Sequence, residues 1–215
     1  MNLVDTFKNK VGERVLLNYQ KNQSRLPSFF ALKEVSSIGI IYNATEYVSF
    51  EIIKNLVKDL SHDSRKIMVL GYVNSKQLID NYLYRKGFEF FSRNDLNWYY
   101  KPVSGAVEDF IKEPFDLLIN LSLDDHYPIK YITSLSAALF KAGRYTKGDE
   151  CLDLMIDIEK ERQDMRKIHE EVGKQSAGKY INTEIEAGIE RKTETEILLN
   201  FLINQLIHYL SILKK

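Results

Sequence analysis

The sequence predicts an α/β domain: a mostly parallel sheet of four to six strands between two helix layers, with a charged, helical insertion before the last helix. Three observations carry this reading. Continuous apolar runs recur at Ser37–Tyr42, Lys66–Tyr72 and Phe115–Leu121, as expected of strands buried on both faces. Segments with apolar residues every three or four positions lie between them, and that alternation argues for right-handed βαβ units. Residues 159 to 195 fit neither pattern, being dense in charge with thin apolar stripes.

In order along the chain, Val4, Phe7, Val11, Val15 and Tyr19 mark an amphipathic helix over residues 3–19. The polar stretch from Gln20 to Pro27 reads as a loop. After the first strand, Asn43 or Thr45 is placed to cap a helix striped by Val48, Ile52, Leu56 and Leu60. Beyond the second strand, Asn74 and Ser75 open a helix to about Arg85, with Gly87 at its stop.

Phe88–Phe91 and Asn97–Tyr100 are β-type runs around a polar turn, suited to a hairpin or a sheet edge. Val107–Ile111 reads as a brief helix. Past the third strand, Asp124 or Asp125 caps a helix with Pro128 near its first turn, running to about Ala142 and stopped by Gly143. Leu152–Ile158 is a further strand candidate. Residues 159–195 read as two helical pieces around a Gly173–Gly178 joint. Leu198, Leu202, Leu206 and Leu210 then return a core-facing helix. Residues 1–158 and 196–215 thus form one domain, a Rossmann-like three-layer sandwich.

Composition fits this. With 44% hydrophobic and 28% charged residues, a chain of 215 residues builds a core without disulfides or metals. Lys+Arg and Asp+Glu are both 30, so the long-range attraction of a general nucleic-acid binder is missing. The local excess of Lys8, Lys10, Arg14, Lys21 and Arg25 over Asp5 and Glu13 reads as a solvated helix face, or as a phosphate- or lipid-facing arm. Cys151 stands alone, which excludes an intrachain disulfide and fits a reducing compartment. The first residues lack the order of a signal peptide, and no apolar run approaches the ~20 residues of a membrane span. The cytoplasm is the expected location.

An open parallel sheet binds ligands beyond the carboxyl ends of its strands. The residues predicted there are Asn43, Thr45, Asn74, Ser75, Ser122, Asp124, Asp125 and His126, with Glu46 beside them. Cap and turn chemistry accounts for many of them equally well. Asp124-Asp125-His126 is the densest ionisable cluster, but His62, His169 and His208 are scattered, so no metal site is expected.

No Gly-x-Gly-x-x-Gly follows a strand, which leaves a dinucleotide turn unsupported. Gly173–Lys179 has phosphate-loop spacing, yet Tyr180 replaces the magnesium-binding hydroxyl and no buried strand precedes it. Cys151 has no basic partner nearby and reads as a small apolar side chain. Trp98-Tyr99-Tyr100 reads as core or edge packing, or as an exposed platform. No catalytic residue and no cofactor is expected.

Phe115–Ser122, Lys141–Tyr145, Leu152–Asp157 and the closing His208-Tyr209-Leu210 resemble an uncharacterised Bacteroidetes domain of unknown function. The resemblance covers about residues 2–158 and 196–213 and implies a bacterial α/β protein with 159–196 inserted. It supplies no functional residues. Arg144, within these motifs, reads as lying just after a helix, aimed at an anionic group or paired with the protein's own carboxylates.

Three functions follow. The first is a non-catalytic module binding a partner protein or small ligand, favoured by the lack of a complete catalytic constellation and by the charged insertion. The second is an enzyme on a nucleotide, sugar or phosphate compound. The third is an RNA- or ribosome-associated protein acting through the basic N-terminal helix. The sequence leaves oligomeric state open.

Overall fold

The run Ser-Ile-Gly-Ile-Ile-Tyr-Asn forms β1 (Ser37–Asn43), whose five central residues are buried. Such a strand is stable only with helices over both faces, and β1 occupies the middle of the sheet. It pairs with β2 (Lys66–Val73) on one side and β4 (Leu117–Asn120) on the other. β3 (Phe88–Ser92) lies beyond β2, whereas β5 (Phe140–Arg144) and β6 (Leu154–Ile156) lie beyond β4. The order is β3-β2-β1-β4-β5-β6, parallel throughout. The chain therefore winds outward from β1 to one edge, crosses back to β4 and winds to the other, the Rossmann arrangement. The computed structural model describes residues 3–21, 25–29, 31–61, 65–76, 86–148, 151–176 and 193–213.

One face is covered by α2 (Tyr47–Leu60) and α6 (Glu194–Ile212), which bury Ile53, Leu56, Leu202 and Leu206 against Ile38, Ile40 and Ile119. The other is covered by α3 (Gly105–Lys112) and α4 (Tyr127–Leu135), with Phe110 and Ile132 against Ile41 and Leu118. α1 (Leu3–Lys21) packs across α4. The Tyr127 hydroxyl donates to the Gly12 carbonyl at 2.8 Å. Only glycine fits there, since a Cβ would stand 2.7 Å from the Tyr127 ring. Lys101 Nζ lies 5.5 Å from the Tyr19 ring and 5.6 Å from that of Tyr131, clamping the end of α1 by cation–π attraction.

Aromatic rings also press against glycines of the sheet. A Cβ on Gly39 would stand 2.7 Å from the Phe115 ring, and one on Gly71 would stand 2.6 Å from that of Phe90.

The helix predicted to run to Ala142 ends at Leu135 instead, and Phe140–Arg144 is a strand. Lys141, fully buried, donates from Nζ to the carbonyls of Thr133 (2.8 Å) and Ser134 (3.0 Å) and so caps α4 from the neighbouring strand. Gly143 lies inside β5 rather than stopping a helix, because a Cβ would stand 2.8 Å from the Asn120 carbonyl. Arg144 accordingly ends a strand. Asn97–Tyr100 is a turn, not a strand: Asn97 Oδ1 accepts from the amides of Tyr99 (3.1 Å) and Lys101 (3.0 Å). Among the described residues β3 forms that edge, and Leu96 and Pro102 make an isolated bridge nearby.

Gly87 has φ 88, in the left-handed region that glycine tolerates; residues 77–85 of the helix predicted before it lie outside the described residues. α5 (Glu159–Ser176) continues through Gly173, so the first half of the phosphate-loop lookalike is helical. Residues 177–192, with the rest of that motif and Gly178, lie outside the described residues. No helix among the described residues is long and apolar enough to cross a membrane.

At the amino ends of β1 and β4, Asp116 Oδ2 accepts from Ser36 N (2.9 Å), Ser36 Oγ (2.8 Å) and Ser37 N (2.9 Å), and its own amide donates to Ser37 Oγ (2.9 Å). Burial opposes ionisation, but these donors outweigh it and hold the carboxyl below its ordinary value of 3.8. The fold thus favours the carboxylate, and this contribution is complete above pH 3.8 and lost as pH falls through the lower folded value. Asp116→Ala should cost about 1–2 kcal/mol at pH 7 in denaturant unfolding. The gap from the parent protein should narrow in acid.

Candidate functional site

The crevice where strand order reverses lies between the carboxyl ends of β1 and β4. On the β1 side the chain is closed on itself. Asn43 Oδ1 accepts from Thr45 N (3.0 Å) and Thr45 Oγ1 (2.6 Å), and Thr45 Oγ1 accepts from Asn74 N (2.9 Å). Asn74 Oδ1 takes the Tyr72 hydroxyl at 3.1 Å. The Ser75 amide donates to Val73 O at 2.7 Å, and its carbonyl accepts from Arg93 N at 3.0 Å.

Neither Asn43 nor Thr45 caps α2. Glu46 occupies the cap position, without a side-chain bond, because the two polar side chains before it are committed to this weld. Where a dinucleotide turn brings glycine to a pyrophosphate, this turn buries Ala44 completely and sets a carboxylate at the helix start. An anion is repelled there.

His126 spans the crevice. Its Nε2 lies 3.0 Å from Asn43 Nδ2, and its ring meets Tyr72 edge-on at a centroid distance of 5.6 Å. An amide NH₂ can only donate, so Nε2 accepts and the proton of the neutral ring sits on Nδ1. Burial pushes the His126 pKa below 6.5, aided by Arg144 and opposed by Asp124 and Asp125.

The β4 side is open. Ser122 N donates to Asn120 Oδ1 (3.0 Å), and Ser122 Oγ to the Asp124 carbonyl (2.8 Å). Neither aspartate caps α4, whose cap residue is His126. Each pairs with an arginine from a later element instead. Arg144 binds Asp125 and the Ser122 carbonyl (3.3 Å). Arg162, on α5, meets Asp124 at 3.3 Å and donates to the Leu123 carbonyl at 2.6 Å.

Above these groups is a cleft of about 360 Å³. Of the eight predicted residues, Ser122, Asp124, Asp125 and His126 line it; Asn43 touches it only through His126. Thr45, Asn74 and Ser75 form the separate weld. Sequence reasoning missed Asn9 and Glu13 on α1, Lys130 on α4, and Thr146 and Lys147 after β5. The one sequence signal among these is Lys130, a cation near a helix start, where the dipole disfavours it. Glu13 and Lys130 also line a larger cavity of about 750 Å³ that reaches Leu16, Arg25 and Cys151.

Cys151 is buried, as expected of a small apolar side chain. Trp98 is 59% exposed, so it stands out from the surface beside Tyr99 rather than joining the core. Among the described residues no three His, Cys, Asp or Glu side chains are grouped to hold a metal ion.

The fold and cleft define a Rossmann-type α/β protein whose first nucleotide turn is sealed and whose second half is open. The chain belongs to the family of unknown function DUF6913, which matches residues 8–174. The match takes in β1 to β6 and nearly all of α5, and it stops before α6. No curated protein and no solved structure matches the chain.

Because His126 is held neutral by burial, the unfolded chain takes up its proton first, and this contribution to stability falls as pH drops below 6.5. Asn43→Ala admits water to the ring and should move the His126 pKa back up toward 6.5. Titration of its imidazole signals by NMR checks this; an unchanged pKa would show that Asn43 does not seal the crevice.

Proposed function

We propose that this protein is a non-catalytic, cytoplasmic binding module that takes a small polar molecule in the cleft above β4 and β5. The observation that carries the reading is the cleft itself. At about 360 Å³ it falls in the range of small-ligand sites and lies beyond the carboxyl ends of the strands. Binding without turnover is supported by the state of its polar groups. Asn43 occupies the acceptor nitrogen of His126, and Asp125 with two backbone carbonyls holds Arg144. One observation favours an enzyme instead: His126 is kept neutral, as a general base must be. Its basic nitrogen, however, faces Asn43 rather than the cleft.

A thermal-shift screen of nucleotides, sugar phosphates and neutral sugars tests the reading. A binder at one hundred times its Kd stabilises by about 2.7 kcal/mol, which raises the Tm of a chain this size by roughly 5–11 °C. Arg144→Ala, which releases the cleft wall from Ser122 and Asp125, should abolish the shift, while Trp98→Ala should leave it intact. A screen flat for every compound would overturn the proposal.

A further inference from the structure

The outer face of α1 combines basic and apolar side chains that the fold leaves in solvent. With about 3.6 residues per turn, Phe7, Lys10, Arg14, Leu17 and Lys21 fall within about 80° of the helix circumference. Gly12, which packs on Tyr127, lies opposite the middle of that arc. All five side chains are exposed, Phe7 by 62% and Leu17 by 54%. Lys10 and Arg14 stand one turn apart as like charges, a spacing that weakens a helix. Neither they nor Lys21 make an ion pair with a described residue. Glu13, the one carboxylate among the described side chains of α1, lies off the arc and lines the cleft. Lys21 suits the end of a helix, but packing and capping give no reason for the other four. Trp98, 59% exposed, stands beside them: the carbonyl of the next residue, Tyr99, abuts Gly12, and the Tyr100 ring lies 5.6 Å from Lys8 Nζ.

We infer that α1 lies against an anionic bilayer surface, with Lys10, Arg14 and Lys21 on the lipid headgroups and Phe7 and Leu17 sunk among the upper acyl chains. Charge complementarity carries the electrostatic part. Basic side chains near an anionic leaflet each add to binding, and the attraction acts within a Debye length. The local patch therefore counts although the chain as a whole is neutral. The apolar pair decides between polyanions. Phe7 and Leu17 are about 15 Å apart along the axis, with Lys10 and Arg14 between them. A nucleic-acid backbone would engage the cations and leave Leu17 in water, whereas a bilayer takes both kinds of side chain from a helix lying in its interface. Trp98 beside the helix suits the headgroup level. Attachment is peripheral and reversible, since no described helix is long and apolar enough to cross a membrane. It does not depend on the cleft holding a ligand.

Co-sedimentation of the full chain with vesicles tests it, using phosphatidylcholine alone and phosphatidylcholine mixed with phosphatidylserine in equal parts. The mixed vesicles should bind at least ten-fold more tightly, and the advantage should shrink as salt is raised. Lys10→Ala with Arg14→Ala and Lys21→Ala should weaken that binding at least ten-fold, and Lys10→Arg with Lys21→Arg should retain it. Phe7→Ser with Leu17→Ser should weaken it several-fold and leave the remainder more sensitive to salt. All five side chains point to solvent, and an unchanged circular dichroism spectrum and Tm separate lost binding from lost fold. No binding to the mixed vesicles, equal binding to phosphatidylcholine alone, or indifference to either set of replacements would overturn the inference. So would a mobility shift of polyuridylate RNA by a protein that leaves the vesicles unbound.

Discussion

The reversal of strand order between β1 and β4 is the constraint around which the structure is arranged. Parallel pairing there joins two segments distant in sequence, and no short connection holds them together. Side chains do so at both ends. At the amino end Asp116 gathers Ser36 and Ser37 onto the start of β4. At the carboxyl end Asn43 meets His126. Between these stitches the seam is filled by Ile38, Ile40, Ile41, Leu118 and Ile119, all buried. The carboxyl-end contact covers the position where proteins of this topology admit a ligand.

The same stitch explains the asymmetry of the strand-end surface. Asn43 and Thr45 bind each other and the start of the β2 loop, leaving no backbone concavity after β1. In the corresponding turn after β4 the two aspartates pair with Arg144 on β5 and Arg162 on α5, and the cleft lies above them. α1 then roofs the opening, fixed to α4 by Tyr127 and Lys101. Desolvation under this roof and around Tyr72 keeps His126 uncharged, so the seam does not carry a buried cation near neutral pH.

Much of the fold was legible in the sequence, because a central parallel strand leaves an unmistakable trace: continuous apolar residues bounded by polar turns. β1, β2 and β4 have that trace. β5 does not. Phe-Lys-Ala-Gly-Arg resembles a helix end, and its lysine is tolerated inside only because Nζ reaches carbonyls left free by α4. That relation is tertiary and has no local signature. Asn97–Tyr100 misleads in the opposite sense, since its aromatic run suggests a strand while the Asn97 side chain dictates a turn. At the site, topology places eight residues at the strand ends. Which half is sealed, however, depends on a contact between residues 83 apart. Asn9, Glu13 and Lys147 enter the cleft through the packing of α1 and the course of the chain after β5, which no spacing rule reports.

The glycines at the centre of the sheet carry a consequence for how this sequence can change. Gly39 and Gly71 are sockets cut to the rings of Phe115 and Phe90, and each pair is a single lock made of two distant parts. Neither part can drift alone: a methyl group on the glycine strikes the ring, and a smaller residue in place of the ring leaves a void over the strand. Elsewhere in the sheet one aliphatic side chain can replace another with little disturbance. In related chains these positions should therefore vary as pairs, glycine with ring or bulk with its absence, even where the strands around them have diverged.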